Sequence, residues 1–284
     1  PRNAAKGDVM NRNEIRSTLD EESVRLSKAL GQNLLHDQNV LRRIAKAADL
    51  HPADQALEIG PGLGALTEHL LAAVDQLTAI EMDKRLHAHL SERFGATEKL
   101  RLIHADALKY FRNTEVDWSD WKLVSNLPYN VASPLLVDLA AMPRGPQRLV
   151  VTVQWEVGQR LAACHATREY SKLTLLVACR YEVKEIFKIS PHCFFPEPRV
   201  DSACLTLDRR PDPLYPDALH KPFTAVVKRA FSQRRKMMRK NLKGGWPEDQ
   251  LDAAFAAVDL DSKIRAEKVT LEQFVALAKE LHDV

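Results

Sequence analysis

Apolar positions along the chain follow two rhythms. Residues 23–50, "SVRLSKALGQNLLHDQNVLRRIAKAADL", carry them at the three- and four-residue spacing of an amphipathic helix, interrupted at Gly31. Beyond it, the short and nearly all-apolar runs "QALEIG", "QLTAIEM", "LRLIHAD", "KLVSNL" and "RLVVTVQ" alternate with helix-length segments. Strands apolar on both sides need cover on both sides, so the alternation predicts a parallel sheet between two helical layers, an α/β doubly wound domain. Two further β-rich runs, "YEVKEIFKIS" and "SACLTLDRR", flank the proline-rich "PHCFFPEPRVD" and predict an antiparallel hairpin closing the sheet. Pro211, Pro213 and Pro216 mark a boundary, after which "LDAAFAAVDL" and "LEQFVALAKEL" show the stripe of packed helices. The expected division is a flexible arm over 1–24, an α/β domain over 25–210 and an all-helical domain over 211–284. Within "SNLPYNVASP", Pro134 is expected to break the chain again just after Asn126-Leu127-Pro128-Tyr129.

Composition changes this picture little. A chain of 284 residues with 45% hydrophobic residues can bury a large core and a smaller companion. The formal net charge of +3 lends only mild support to a polyanionic partner. Four cysteines, Cys164, Cys179, Cys193 and Cys204, form no C-x-x-C pair, so they read as small buried residues in a reducing cytosol, with no metal site. No apolar run is long enough for a membrane span.

Chemistry enters at "LEIGPGLGALT". Gly60, Gly62 and Gly64 stand between a strand and a helix, where missing side chains let backbone N–H groups approach a ligand. Read loosely, Gly60, Gly62 and Ala65 satisfy a dinucleotide fingerprint with Glu81 as its ribose acid, so a nicotinamide dehydrogenase is one reading. Three acids at the ends of successive strands, Glu58, Glu81 and Asp106, suit a nucleoside ligand without pyrophosphate better. Glu81 can accept both ribose hydroxyls, Asp106 the amine of an adenine, and Glu58 can attract an amino group. That pattern fits S-adenosylmethionine. The bland alternative makes Glu81 and Asp106 helix N-caps.

The fourth strand ends in Asn126 beside the same crevice. An amide oxygen there, with a carbonyl freed because Pro128 donates nothing, can accept both hydrogens of an aromatic amine and aim its lone pair at a methyl donor. Tyr129 can stack on the base, an interaction of about 1–3 kcal/mol. Reaching a base this way requires it to be unstacked or single-stranded.

These motifs, in order with "GQNLLHD", "FFPEPRVDSA", "FSQRRKMMRKNL" and "IRAEKVTLEQFVALA", resemble the small-subunit ribosomal RNA adenine dimethyltransferases from about Leu26 to Leu281. The resemblance implies a Rossmann-like methyltransferase sheet with a small helical C-terminal domain. It also implies S-adenosylmethionine as cofactor and dimethylation of N6 on two adjacent adenosines in a hairpin loop near the 3′ end of small-subunit rRNA. By resemblance, the cofactor positions are Asn33, Leu35, Gly60, Glu81, Asp106 and Asn126. Asn126 also holds the target amine, Tyr129 stacks on the adenine, and Phe194 sandwiches the flipped base from its other side. Leu30 and Leu34 stand where the family usually has Phe, and Ser125 where it commonly has Gly.

Residues 226–243, "VVKRAFSQRRKMMRKNLK", carry Lys228, Arg229, Arg234, Arg235, Lys236, Arg239, Lys240 and Lys243 and no acid. Such a run is expected to form a basic helix whose counter-charge comes from RNA phosphates. The expected partner is rRNA in a partly assembled 30S subunit, and the protein is expected to be a cytoplasmic monomer. Competing readings are the large-subunit rRNA methyltransferases of macrolide resistance and an assembly factor in which catalysis is secondary.

Overall fold

The computed structural model describes Ile15, Ser17 and residues 32–282. Most of the expected 1–24 arm, together with Leu30 and Gly31, lies outside the described residues. Ile15 departs from the expectation of a flexible arm: it is buried against Leu63 and Leu86.

Nine strands and eleven α-helices are described. The strands are β1 (Leu34–Leu35), β2 (Gln55–Ile59), β3 (Gln76–Glu81), β4 (Leu100–His104), β5 (Trp121–Asn126), β6 (Arg148–Gln154), β7 (Tyr181–Ile189), β8 (Phe194–Phe195) and β9 (Ser202–Arg209). The helices before the boundary are α1 (Gln38–Ala47), α2 (Ala65–Ala73), α3 (Lys84–Phe94), α4 (Ala107–Asn113), α5 (Tyr129–Ala141), α6 (Trp155–Leu161) and α7 (Lys172–Ala178). Those after it are α8 (His220–Ala230), α9 (Met238–Leu242), α10 (Glu248–Ala257) and α11 (Leu271–Glu280).

The seven-stranded sheet has the order β4-β3-β2-β5-β6-β9-β7. Its first five strands are parallel, and β9 runs antiparallel to both β6 and β7, as the hairpin expectation required. Apolar residues on both faces explain the cover: one face packs Leu57, Leu123, Val151 and Leu205 against α5, while the other packs Ala56, Val124, Val150 and Cys204 against α1 and α2. Helices begin where short acids release the chain from the sheet. Asp37, Asp83 and Asp106 each accept backbone N–H groups at the first turns of α1, α3 and α4.

Chain order reverses between β2 and β5, and in such sheets a crevice opens beyond the C-terminal ends of the strands at that point. Pairing between β2 and β5 is registered only through Leu57 and Leu123. Past it, the buried Ser125 hydroxyl takes over: it donates to the Ile59 carbonyl and accepts from the Ile59 N–H at 3.3 Å. A glycine there could do neither. We expect Ser125→Ala to destabilise the fold by about 1–3 kcal/mol in denaturant unfolding, because it strands two buried backbone groups. An unchanged midpoint would show that the strands close up without the hydroxyl.

Two expectations are corrected. Pro134 does not break the chain, because α5 runs straight through it, losing only the bond that its missing N–H would have made. The run 226–243 is not one helix: α8 ends at Ala230, turns follow, and α9 covers only Met238–Leu242. Its charge is also compensated in part. Arg239 pairs with Asp252 at 2.6 Å and Lys243 with Glu248 at 2.7 Å, so α10 supplies acids that the local sequence lacks.

The helices after the boundary share one apolar core with residues before it. Tyr170, Leu175, Leu176 and Cys179 belong to the same cluster as Phe223, Met238, Leu251 and Phe274. Of the cysteines, Cys179 and Cys204 are buried, Cys193 is half-buried and Cys164 is exposed, and all four are free.

Candidate active site

Three adjoining cavities open at the switch point. The first is lined by Asn33, Leu35, Glu58, Gly60, Glu81 and Asn126, among others. A second continues from Gly60 and Glu81 to Asp106 and Leu108. The third is a broad groove reached from the first past Asn33 and Tyr129, and bounded by Gln154, Pro198, Arg199 and Val200.

The glycine turn supplies the floor. Gly60, Gly62 and Gly64 all have positive φ, at 67°, 63° and 87°, a region that disfavours any side chain. A Cβ on Gly60 would lie 3.3 Å from the Pro128 ring, so the turn packs directly on the Asn-Leu-Pro-Tyr segment. Glu81 ties the turn down. One carboxylate oxygen accepts from the Gly62 N–H at 3.2 Å and the other from the Asp83 N–H at 2.8 Å. Burial raises its pKa, against the lowering effect of those two N–H groups.

Glu58 lines the first cavity as expected, but not as the charge that was expected of it. Its carboxyl accepts from the Thr67 hydroxyl at 2.7 Å, and burial pushes its pKa up to about 8, with the Thr67 bond opposing and the nearby Glu81 adding. At neutral pH the uncharged acid is favoured, so Glu58 is a poor counter-charge for an amino group. The folded state therefore holds a proton that the unfolded chain releases above the ordinary carboxylate pKa. Stability from this group is complete at acid pH and is lost as pH rises from the ordinary value through about 8. We expect Glu58→Gln to flatten that decline and to raise stability at alkaline pH by on the order of 2 kcal/mol. Urea unfolding of both proteins from acid to alkaline pH measures it; parallel curves would show that Glu58 titrates normally.

Asp106 realises the bland reading in part. One oxygen accepts from Leu108 and Lys109 N–H groups at 2.9 and 3.4 Å as the cap of α4, two residues past the end of β4, and the residue also lines the second cavity.

Asn126 ends β5 in the lining of the first cavity, beside Asn33 and Tyr129, which line both that cavity and the groove. Its amide nitrogen donates to the Asn33 carbonyl at 2.8 Å, which fixes the amide orientation, and its buried oxygen has no hydrogen-bond partner. An orphaned buried acceptor is rare in folded proteins and is usually completed by a ligand or water. Tyr129 begins α5 and donates to or accepts from the Ser202 hydroxyl at 2.6 Å, so its ring stands fixed between the first cavity and the groove. Burial raises its pKa further, so it is a neutral phenol.

Phe194 is not where the resemblance put it. It is fully buried, paired with Leu35 between β1 and β8 and enclosed in the core, with no face on the groove in this structure. Two positions were not singled out by the sequence. Gln32 lines all three cavities, and Ile15 lines the first. Gln32 adjoins Asn33 in the chain, but no local pattern pointed to Ile15.

The pieces fit a methyl donor of the S-adenosylmethionine kind: a glycine turn held at positive φ, a buried acid beside it, and an unsatisfied amide oxygen in the same cavity. No cluster of His, Cys, Asp and Glu among the described residues could hold a metal.

Comparison with known proteins agrees. The chain is 38% identical over 274 residues to a protein named ribosomal RNA small subunit methyltransferase A from Synechococcus elongatus, covering 90% of this chain and 95% of the relative. The protein of that name from Clostridium acetobutylicum is 37% identical over 269 residues, covering 94% and 98%. Among solved structures, the 23S rRNA methyltransferase ErmE superposes with a TM-score of 0.65 at 27% identity, covering 88% of this chain and 99% of that one. A dimethyladenosine transferase from Plasmodium falciparum gives a TM-score of 0.72 at 23% identity, covering 86% and 95%, which speaks for the fold. The sequence profile described as ribosomal RNA adenine dimethylase matches residues 24–283, and the chain belongs to that family.

Proposed function

We propose that this protein uses S-adenosylmethionine to dimethylate N6 of two adjacent adenosines in a hairpin loop near the 3′ end of small-subunit rRNA, within a partly assembled 30S subunit. The observation that carries the reading is the orphaned Asn126 oxygen in the first cavity, next to Asn33 and Tyr129, which that cavity shares with the groove. When bound, the cofactor supplies an electrophilic methyl group. Gly60 and the Glu81-anchored turn hold it, with Asp106 at the adenine end and Asn33 and Leu35 on the opposite wall. The Asn126 oxygen accepts a hydrogen of the target amine and opposes its conjugation with the ring. Tyr129 presents its ring to the base. Neither the neutral Tyr129 phenol nor Asn126 is a general base, and none is required, because methylation leaves a strongly acidic ammonium that yields its proton to water. Positioning contributes most of the rate.

The helical part after Pro211 serves as the RNA-binding domain of a cytoplasmic monomer. No helix among the described residues is long and apolar enough to cross a membrane. Within the basic run, Arg234, Arg235 and Lys236 are all exposed, and Arg234 alone of the three is held by the Arg168 and Tyr170 carbonyls, to which it donates at 3.1 Å. We expect Arg235→Ala with Lys236→Ala to lower the slope of log affinity for rRNA against log salt by roughly two, one for each phosphate no longer neutralised. An unchanged slope would move the RNA footprint elsewhere.

The deciding experiment is transfer of labelled methyl groups to 30S subunits lacking adenine dimethylation, followed by mass spectrometry of the RNA, with 50S subunits as the alternative substrate. Dimethyladenosine at two adjacent small-subunit positions supports the reading. Label confined to large-subunit RNA would favour the macrolide-resistance activity that the likeness to ErmE allows, and tight binding without transfer the assembly-factor role.

A further inference from the structure

At the opposite end of the sheet from the crevice, where β6 starts and β9 finishes, Arg180, Arg209 and Arg210 line a single cavity of about 280 Å³ with Asp217. Pro211, Pro213 and Pro216 form its wall. Three guanidinium groups thus face one carboxylate.

Each arginine is held in place by the fold. Arg180 is 4% exposed, pairs with Asp217 and stands over the Tyr215 ring at 5.3 Å. Its buried Nε has no hydrogen-bond partner. Arg209 donates to the Met142 and Pro143 carbonyls at 2.8 Å each and to the Tyr181 hydroxyl at 3.3 Å. Arg210 donates through Nε to the Ala178 carbonyl at 2.9 Å. These bonds fix the guanidinium planes but bring no negative charge, and among the described residues neither Arg209 nor Arg210 makes an ion pair. Glu182 on β7 is exposed and paired with Lys184, and its charge also interacts with Arg210, but it does not line the cavity.

Three guanidinium charges, one with an orphaned N–H, thus share a cavity with a single carboxylate, an excess that an entering anion would offset. Guanidinium forks match the oxygens of a phosphate bidentately. Proline walls of fixed φ, with no N–H to satisfy, keep the cavity open before binding. A strand of β6's length spans about 20 Å, so the cavity and the crevice are within reach of one structured RNA. We propose that this arginine cavity is a phosphate-binding site that takes a backbone phosphate of the RNA substrate, away from the methylated base; the RNA source rests on the function proposed above.

The test uses the full chain with arginine side chains labelled for NMR. Inorganic phosphate is titrated against chloride at matched ionic strength, and affinity for a small-subunit rRNA fragment is measured at several salt concentrations. The expected result is a saturable phosphate-dependent shift of the Arg180 Nε–H signal. Arg210→Gln should weaken RNA binding several-fold and lower the salt slope by about one, while Arg210→Lys keeps the slope. Asp217→Asn, which removes the sole carboxylate of the cavity, should tighten phosphate binding, a gain that misfolding cannot imitate. No saturable shift, or no tightening in Asp217→Asn, overturns the site. Saturable phosphate binding with an unaltered RNA slope in Arg210→Gln overturns the RNA assignment in favour of free phosphate. Failure of the methylation reading shows separately, as absence of methyl transfer by the unmodified protein while the phosphate shift persists.

Discussion

Asn126→Ala lowers single-turnover methyl transfer by on the order of 10²–10³-fold, the loss typical of removing one preorganised dipole from a reacting centre. The expectation follows from the two halves of the amide. Its nitrogen is occupied by the Asn33 carbonyl at 2.8 Å, and its oxygen is buried with nothing to accept. Folding has therefore already met the cost of desolvating that acceptor, and the amine of a flipped base would satisfy it. Asn126→Asp should also fail, because it loses the donor to Asn33 and places a carboxylate oxygen against that carbonyl. Cofactor affinity, measured by calorimetry, should fall far less than the transfer rate. A variant that transfers methyl groups at the normal rate would remove Asn126 from the mechanism.

Glu81→Ala should weaken S-adenosylmethionine binding by about 100-fold. Two bonds that hold the free turn in its binding shape disappear, those from Gly62 and Asp83, so that re-forming the turn becomes a cost of binding, of about 1.5 kcal/mol for each. A tenfold change in affinity corresponds to about 1.4 kcal/mol. The turn held at positive φ through Gly60, Gly62 and Gly64 then loses its anchor along with any ribose contact. Glu81→Gln keeps one acceptor oxygen and should lose about tenfold. Calorimetric titration decides it, with circular dichroism confirming the fold. Near-native affinity in Glu81→Ala would mean that the turn holds its shape without this side chain.

Much of this site is local chemistry written in short stretches. A glycine turn after an apolar strand, acids at the next two strand ends and Asn126 at the fourth need only strand alternation to bring them to one edge. Strand polarity and the switch point follow from connection handedness. The hairpin of β7 and β9 was legible for the same reason, since adjacent β-rich runs pair with their neighbour.

Where expectation failed, the deciding partner was distant in sequence. Phe194 carries a motif that suggests a base contact, yet pairing with Leu35 turns its ring into the core. The basic run lacks acids of its own, and Asp252 and Glu248 reach it only because α10 folds back. Glu58 reads as a charge until burial beside Glu81 raises its pKa to about 8.

The sequence by itself determined the α/β class, the closing hairpin, the cofactor turn and the family, because period, turn chemistry and motif order are properties of contiguous residues. Only the tertiary structure decided which charges are neutralised, which aromatic faces the groove, that Asn126 keeps a free acceptor and that three arginines share a cavity. Those outcomes depend on desolvation and on partners tens of residues away, and neither is encoded in any local window.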